Sequence, residues 1–413
     1  MNLKFSNLFN NFFSKQKFFR KEIQFSEHNI EANYFHKNVL EIIKKLQNRN
    51  FDAYIVGGAI RDICFDLKPK DVDIVTNATP YEIKKIFRGS RIIGKRFKLV
   101  HIGYGRNIIE VSTFRKNAIM QNGFIKKDEK GKLLRDNLFG SEKDDIQRRD
   151  ITINSLLYDP NKRIIIDYFD GFKDIKNKKI KVIGDPKKRF IEDPMRIIRI
   201  IRISSKLNLQ IDEKLSRIMV TNIDLIRDIP SSRLFDEFCK MFTNGHAASC
   251  IVMLYNFNVL KILVPRLSDL MRNEKNLDKI KKLLKASDQR FEKKLTISIS
   301  FVLSSLFWVL IKDEHKALLK KNKLSKIRSI FIVVDYFFSN FKQINIPKRI
   351  QYEMKTIWVN QIRLENTRGK KPIKLLNSDM FKISYDFFLL RNQINEINND
   401  IFLWWTDLYK KKS

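Results

Sequence analysis

Asp71 and Asp73 sit two residues apart in the run Asp71-Val72-Asp73-Ile74-Val75. The apolar neighbours read as a strand, and alternate side chains on a strand share a face. Both carboxylates therefore project together. Like charges held side by side repel, and a fold keeps such a pair when a cation lies between them. Cys64, Cys239 and Cys250 lack metal-ligand spacing, and the five histidines are scattered. The cation implied is a hard one on oxygen ligands, magnesium or manganese. A solvated edge strand without metal is the bland alternative. Val72, Ile74 and Val75, which imply burial, argue against it.

Gly57 and Gly58 follow the apolar run Ala53-Tyr54-Ile55-Val56 and precede a helical stretch, AIRDICF. Glycines at such a junction let backbone N–H groups approach a phosphate closely. Alone, a Gly-Gly pair is usually a turn. Here a Lys-Pro-Lys turn follows and then the Asp-x-Asp strand. A triphosphate cradle beside paired metal ligands is what nucleotidyl transfer requires: one ion activates a hydroxyl and a second holds the leaving pyrophosphate.

Two further clusters carry the same chemistry. In Gln147–Pro160 (QRRDITINSLLYDP), Arg148 and Arg149 can fork onto phosphate oxygens, and Asp150 can complete an acidic site or orient an arginine. In FIEDPMRIIRIIR, Asp193 and Arg196 lie three apart across a helix start, one accepting and one donating, which suits reading the Watson–Crick edge of a base. Taken singly, each has an ordinary explanation: a surface triplet, and an N-cap aspartate with an intrahelical ion pair.

The elements that must position these groups fall into three textures. Up to about Asp170, short β-rich runs alternate with turns and helices: AYIVGG, VDIVTNA, SRIIGKRFKLVHIGY, NIIEVSTF and RIIIDYFD. Asn122 to Asp145 is polar and charged and reads as a mobile loop. From about Phe190 helical periodicity takes over, with Arg196, Arg199 and Arg202 on one face of MRIIRIIRISSKL. The expected fold is α+β: a head with a small mixed or antiparallel sheet, then an all-helical neck and body. The expected divisions are 1–25 as a variable basic extension, 26–170 as catalytic head, 171–235 as helical neck and 236–413 as body.

Composition narrows the partners. The chain of 413 residues is long enough for several domains, and its formal net charge is +35. A surplus of this size attracts polyanions, above all nucleic acid. A compositional bias toward Lys, Asn, Ile and Phe would raise the lysine count by itself, yet it still leaves a cationic surface. Few cysteines, odd in number, imply a reducing, cytoplasmic setting without a disulfide framework. Leu295 to Ile311 is uncharged but short for a membrane span and rich in Ser and Thr, so a buried core helix is expected. The Phe-rich, basic N-terminus lacks the features of a secretory signal and reads as a loosely ordered extension, peripheral membrane contact being its alternative.

The motifs GGAIRD, KDVDIVTNATP, RRDITINSLLYD, DYFDGFKDIKNKKIKVIG and EDPMRIIRIIR, in this order, resemble the bacterial class II nucleotidyltransferases of the polymerase β superfamily. That family includes the tRNA CCA-adding enzymes and the bacterial poly(A) polymerases. The resemblance implies that Asp71 and Asp73 are the catalytic, magnesium-binding carboxylates. It implies that Gly57, Gly58 and Arg61 hold the triphosphate, and that Asp150 belongs to the active site with Arg149 and Asn154 near the nucleotide. Asp193 and Arg196 would read the base, supported by Arg199. Either Asp150 or Glu110, in NIIEVSTFR, would supply the third acidic group.

Within the family, IIGKRFKLVHI (Ile92 to Ile102) looks like the signature of the poly(A) polymerases, with Lys95 and Arg96 adding charge near incoming phosphates or primer. IPSSRLFDEFCKMF, IPKRIQYEMKTIW, RGKKPIKLLNSDMFKISYDFFLLR and the Trp404-Trp405 pair resemble the helical RNA-binding part of those enzymes. The implied activity is untemplated addition of AMP from ATP to RNA 3′ ends in mRNA polyadenylation and RNA turnover, with RNA and not DNA as partner. CCA addition to tRNA is the alternative within the class. A non-catalytic RNA-binding protein on a transferase scaffold is the alternative outside it.

Overall fold

In the computed structural model, residues 19–94, 98–105, 107–116, 139–295, 297–341 and 343–412 are described. The chain divides into two compact units. One holds Met1–Pro186 with Gln210–Asp212, the other Lys187–Leu209 with Glu213–Ser413.

The first unit is built on one eight-stranded mixed sheet. Its strands are β1 (Lys21–Ile23), β2 (Ala53–Val56), β3 (Asp73–Thr76), β4 (Arg91–Ile93), β5 (Leu99–Tyr104), β6 (Asn107–Thr113), β7 (Leu157–Asp159) and β8 (Ile164–Asp167), ordered β1-β8-β7-β2-β3-β6-β5-β4. Only β3 and β6 run parallel among these neighbours. The β-rich runs of the sequence are all strands here. β1, which pairs with β8, carries no alternating pattern and was not legible.

Alternation decides which residues reach the site. Tyr54 and Val56 on β2, Val75 on β3 and Phe114 just past β6 pack together with Ile146, Leu157, Ile164 and Ile166 in one core cluster. Every second residue on these strands shares that face. Asp73 therefore projects on the side of Val75, and Val56 leads into Gly57 from the same side.

Asn122 to Asp145 does not read as a loop along its whole length. Ser141 caps a helix, Glu142–Gln147, through a reciprocal capping box with Asp144. Asp145 on that helix is fully buried, and Ile146 enters the core cluster. Residues 117–138 lie outside the described ones.

The DYFDGFKD motif is a clamp made of backbone. The buried Asp167 carboxylate accepts from the N–H groups of Phe169 (3.0 Å), Gly171 (3.1 Å) and Phe172 (3.0 Å). That starts the helix Gly171–Lys176. A Cβ on Gly171 would stand 2.3 Å from the Thr152 carbonyl oxygen, so only glycine lets the helix close on the Thr152–Asn154 turn. Asp174 secures the contact, accepting from Thr152 Oγ1 (2.7 Å) and Lys181 Nζ (2.6 Å).

The second unit is helical. Its helix Met195–Leu207 buries Ile197, Ile198, Ile200, Ile201 and Ile203, while Arg196, Arg199 and Arg202 are each half-buried. Leu295 to Ile311 falls largely within the helix Ile299–Lys321, where every residue from Ser300 to Ile311 is buried. Among the described residues no helix is long and apolar enough to cross a membrane.

Candidate active site

The antiparallel pairing of β2 with β3 sets Val56 opposite Asp73, so the turn after β2 meets the acidic end of β3. Gly57 has φ +81, a conformation that L side chains rarely adopt. A Cβ there would look out between two functional groups, 3.5 Å from Arg149 Nη1 and 4.0 Å from Asp73 Oδ2. At Gly58 it would meet Arg61 Nη2 at 3.1 Å. The backbone is bare where a carboxylate and two guanidinium groups gather.

β3 begins at Asp73, so Asp71 stands on the approach to the strand and not in its ladder. Asp71 and Asp73 are both exposed, Val72 is half-buried, and Ile74 and Val75 are buried. The burial expected of Val72 is thus incomplete at the open end of the strand. The parallel register pairs Ile74 with Val111, and one step back sets Glu110 beside Asp73 on the same face. His101, opposite Glu110 on β5, lies 3.2 Å from its carboxylate through Nε2.

Asp73 carries the electrostatic signature of this crowding. Its pKa is raised above the ordinary carboxyl value, first by burial, then by Glu110, with Asp71 adding to the effect and Arg149 opposing it. The residue is exposed by area, yet its carboxyl lies against enough protein for burial to lead. A carboxyl group whose pKa is raised by burial together with a specific charged neighbour marks a functional candidate.

Arg149 is aimed from behind. The buried Asp145 Oδ2 accepts from Arg149 Nη2 at 3.0 Å, while Oδ1 accepts from Arg148 Nη2 at 2.6 Å and Nε at 3.0 Å. Burial raises the Asp145 pKa, but Arg149 and Arg148 together outweigh it and the net shift is downward. Asp145 escaped sequence reasoning. Its signal was present, because Asp145 stands three and four residues before Arg148 and Arg149, the helical spacing for contact.

A second chain of bonds runs from the first helix to the Thr152–Asn154 turn. Asp62 Oδ1 accepts from Arg61 Nε (2.9 Å) and Nη2 (2.6 Å), and Arg61 Nη1 donates to Asn154 Oδ1 (2.5 Å). Asn154 Nδ2 in turn donates to Asp150 Oδ1 (3.2 Å), which also accepts the Ile151 N–H (2.9 Å). Asp150 is thereby tied to Asn154 and Arg61, whereas Glu110 is the carboxylate that presses on Asp73.

The predicted base-reading residues lie in the second unit. Asp193 accepts from Arg233 Nη2 at 3.2 and 3.1 Å. Arg196 Nη1 donates to the Arg189 carbonyl (2.6 Å) and to Glu192 (3.0 Å). Each is held by a neighbour other than its supposed mate. Arg199 sits one turn further along the same helix. Lys95 and Arg96 lie outside the described residues. Burial pushes the thiols of Cys64 and Cys250 up to about 12 and that of Cys239 up to about 11. None is a thiolate at neutral pH.

Oxygen donors at the sheet end fit a hard divalent ion. Among the described residues no group of three or more His, Cys, Asp or Glu side chains forms a cage.

The chain matches three families: "Poly A polymerase head domain" over residues 53–181, "Probable RNA and SrmB-binding site of polymerase A" over 208–271, and "Polymerase A arginine-rich C-terminus" over 330–413. It is 32% identical to poly(A) polymerase I of Haemophilus influenzae, covering 94% of this chain and 88% of the relative. A CCA-adding enzyme of Staphylococcus epidermidis is 30% identical over 80% of this chain and 83% of its own. Among solved structures, a tRNA nucleotidyltransferase complexed with a primer tRNA and an incoming ATP analog shares the fold. Its TM-score is 0.62 at 22% identity, over 90% of this chain and 99% of the other. The Bacillus stearothermophilus CCA-adding enzyme in complex with CTP gives 0.59 at 21% identity, over 92% and 89%.

Proposed function

This chain belongs to the poly(A) polymerase family of nucleotidyltransferases, and from that premise we propose that it adds AMP from ATP, without a template, to RNA 3′ ends. The observation that carries the reading is the pairing of Val56 with Asp73, which sets the acidic strand end beside the bare Gly57 backbone and Arg149. The choice of ATP is supported by the extent of similarity to poly(A) polymerase I and by the segment Ile92 to Ile102.

In this reading Asp71 and Asp73 hold the divalent ions, and Glu110 or Asp150 is the third carboxylate. The bound ions would supply activation of the terminal 3′-hydroxyl and neutralisation of charge on the triphosphate. Arg149, steered by Asp145, and Arg61, steered by Asp62 and Asn154, orient the phosphates. The RNA 3′ oxygen attacks the α-phosphorus, its proton is lost to solvent, and pyrophosphate leaves. Asp193 and Arg196, supported by Arg199, contact the adenine. The Lys- and Arg-rich helical unit holds RNA by its phosphates, so binding is salt-dependent and little concerned with sequence. Tailing of mRNA and other transcripts in the cytoplasm is the setting this implies.

CCA addition is the second reading, favoured by the Staphylococcus epidermidis relative and by the solved structures that share the fold. Purified protein given an RNA primer and each nucleoside triphosphate separately decides between them. Long tails from ATP alone on primers unrelated to tRNA support adenylation. Use of CTP with arrest after three additions supports the alternative. No pyrophosphate release with any triphosphate would leave only an RNA-binding scaffold.

A further inference from the structure

We propose that a pocket in the helical unit seats a nucleotide of the RNA other than the 3′-terminal one, a site that rests on the adenylation reading. The pocket has a volume of about 590 Å³ and is lined by Ile327, Ile362, Arg363, Asn366, Lys371, Lys374, Leu375 and Ser378. That volume lies in the range of small-ligand sites, roughly 300–1,000 Å³, and suits a nucleoside with its phosphate.

The lining is divided in character. Ile327, Ile362 and Leu375 form an apolar wall. Leu375 is also part of the core cluster with Leu364, Phe381, Tyr385, Phe388 and Trp405, so that wall is held rigidly from below. Trp405 fixes the cluster by donating its indole N–H to the Leu364 carbonyl at 2.7 Å.

Interleaved with these apolar residues in the lining are three cations, Arg363, Lys371 and Lys374, and no acid. Among the described residues neither Lys371 nor Lys374 has an acidic partner, and both are exposed. Arg363 donates to the neutral Asn360 side chain at 3.2 Å. The nearby carboxylate of Glu365 is already taken by Lys326 at 2.9 Å. Cations left uncompensated beside an apolar wall match a ligand with an anionic edge and a flat, weakly polar body. A nucleotide in a strand has both. An acidic peptide would satisfy the lysines and leave the wall unused.

The test uses the full chain and a labelled single-stranded oligoadenylate, with binding followed by anisotropy over a series of salt concentrations. Each phosphate contact on a single strand contributes roughly 0.7 to the slope of log affinity against log salt. The double variant Lys371→Ala/Lys374→Ala should lower that slope by about 1.4 and weaken binding on the order of tenfold near physiological salt. Lys44→Ala/Lys45→Ala, exposed on the helix Lys37–Gln47 of the first unit, should change neither by a comparable amount. Equal losses from both pairs, or none from the pocket pair, would overturn the proposal. So would loss of binding to phosphatidylserine vesicles with RNA affinity unchanged. AMP incorporation on a saturating short primer is a separate arm. Its absence in the unmodified protein would defeat the adenylation reading while the binding comparison still decides the pocket.

Discussion

Asp145, with no exposed surface, holds Arg148 on one carboxylate oxygen and Arg149 on the other. The consequence is a division of labour, since Arg149 stands beside Gly57 and Asp73 while Asp145 is fully buried behind it. Asp145→Asn keeps the shape but surrenders one acceptor and the charge. Hydrogen bonds to charged groups contribute roughly 1.5–3 kcal/mol. With the arginines partly solvated, a loss of about 2 kcal/mol in unfolding free energy is expected. Nucleotide incorporation should fall together with it, through a higher KM for the triphosphate. Because the Asp145 pKa is depressed, its stabilisation is present above the unfolded carboxyl value, near 3.9, and disappears as pH falls through the folded one. Urea melts of the two proteins should therefore converge as pH drops below about 4.

Asp73 is lifted by burial, by Glu110 and by Asp71, so the site is assembled against its own repulsion. Removing one charge should relieve this in the metal-free protein. Asp73→Asn is expected to melt at a higher temperature than the unmodified chain at neutral pH, while incorporating no nucleotide. Magnesium or manganese should raise the melting temperature of the unmodified chain and fail to do so for the variant, because a ligand that binds only the folded state stabilises it by mass action. Chelation should return the unmodified chain to its lower value. Equal responses of both proteins to the ion would place its site elsewhere. Asp71→Ala should likewise end transfer with RNA affinity nearly intact.

Gly57 makes a sharper distinction between shape and chemistry. At φ +81 an alanine is strained, and such strain costs on the order of 1–3 kcal/mol. The added methyl would stand 3.5 Å from Arg149 and 4.0 Å from Asp73, ordinary contact distances, so steric collision contributes little. Gly57→Ala should fold with a loss of this size and bind ATP weakly, since the methyl fills space open to a phosphate. Thermal melts and the KM for ATP check the two halves of the expectation.

These particular residues show what a sequence can and cannot disclose. Gly57 and Asp73 come together because β2 and β3 carry local patterns, and the register of β2 on β3 follows from burying Tyr54, Val56 and Val75. The place of Glu110 beside Asp73 depends on the parallel pairing of β6 with β3, a long-range choice that no local spacing encodes. Asp145 was hidden by the polar stretch before it, where composition argued loop and the capping Ser141 argued helix. Asp193 and Arg196 have a spacing that suits mutual contact, but Arg233, Glu192 and the Arg189 carbonyl compete for them from outside that pattern. β1 escaped notice because three residues are too few to display a period.

The helical unit holds a buried ion cluster whose failure should be visible without touching chemistry. Glu396 accepts from Trp308 Nε1 at 2.8 Å and pairs with Lys312 at 2.9 Å and Arg391 at 3.5 Å. Arg391 also lies 4.5 Å from the Trp308 ring centre and donates to Gln361 at 3.3 Å. Both Glu396 and Arg391 have side chains only 4% exposed. Burial alone would raise the Glu396 pKa, yet the Trp308 and Lys312 hydrogen bonds, with both positive charges, bring it below the ordinary value. Glu396→Gln strands two cations in the interior, a change that costs about 3–5 kcal/mol for a fully buried pair and toward 3 here, since Lys312 is a quarter exposed. The stabilisation from Glu396 is complete above the unfolded carboxyl pKa and is lost as pH falls through the depressed folded one. Denaturant melts should show the full deficit at pH 7 and a shrinking one in acid. A deficit that stayed constant with pH would mean that packing, and not charge, holds this corner together.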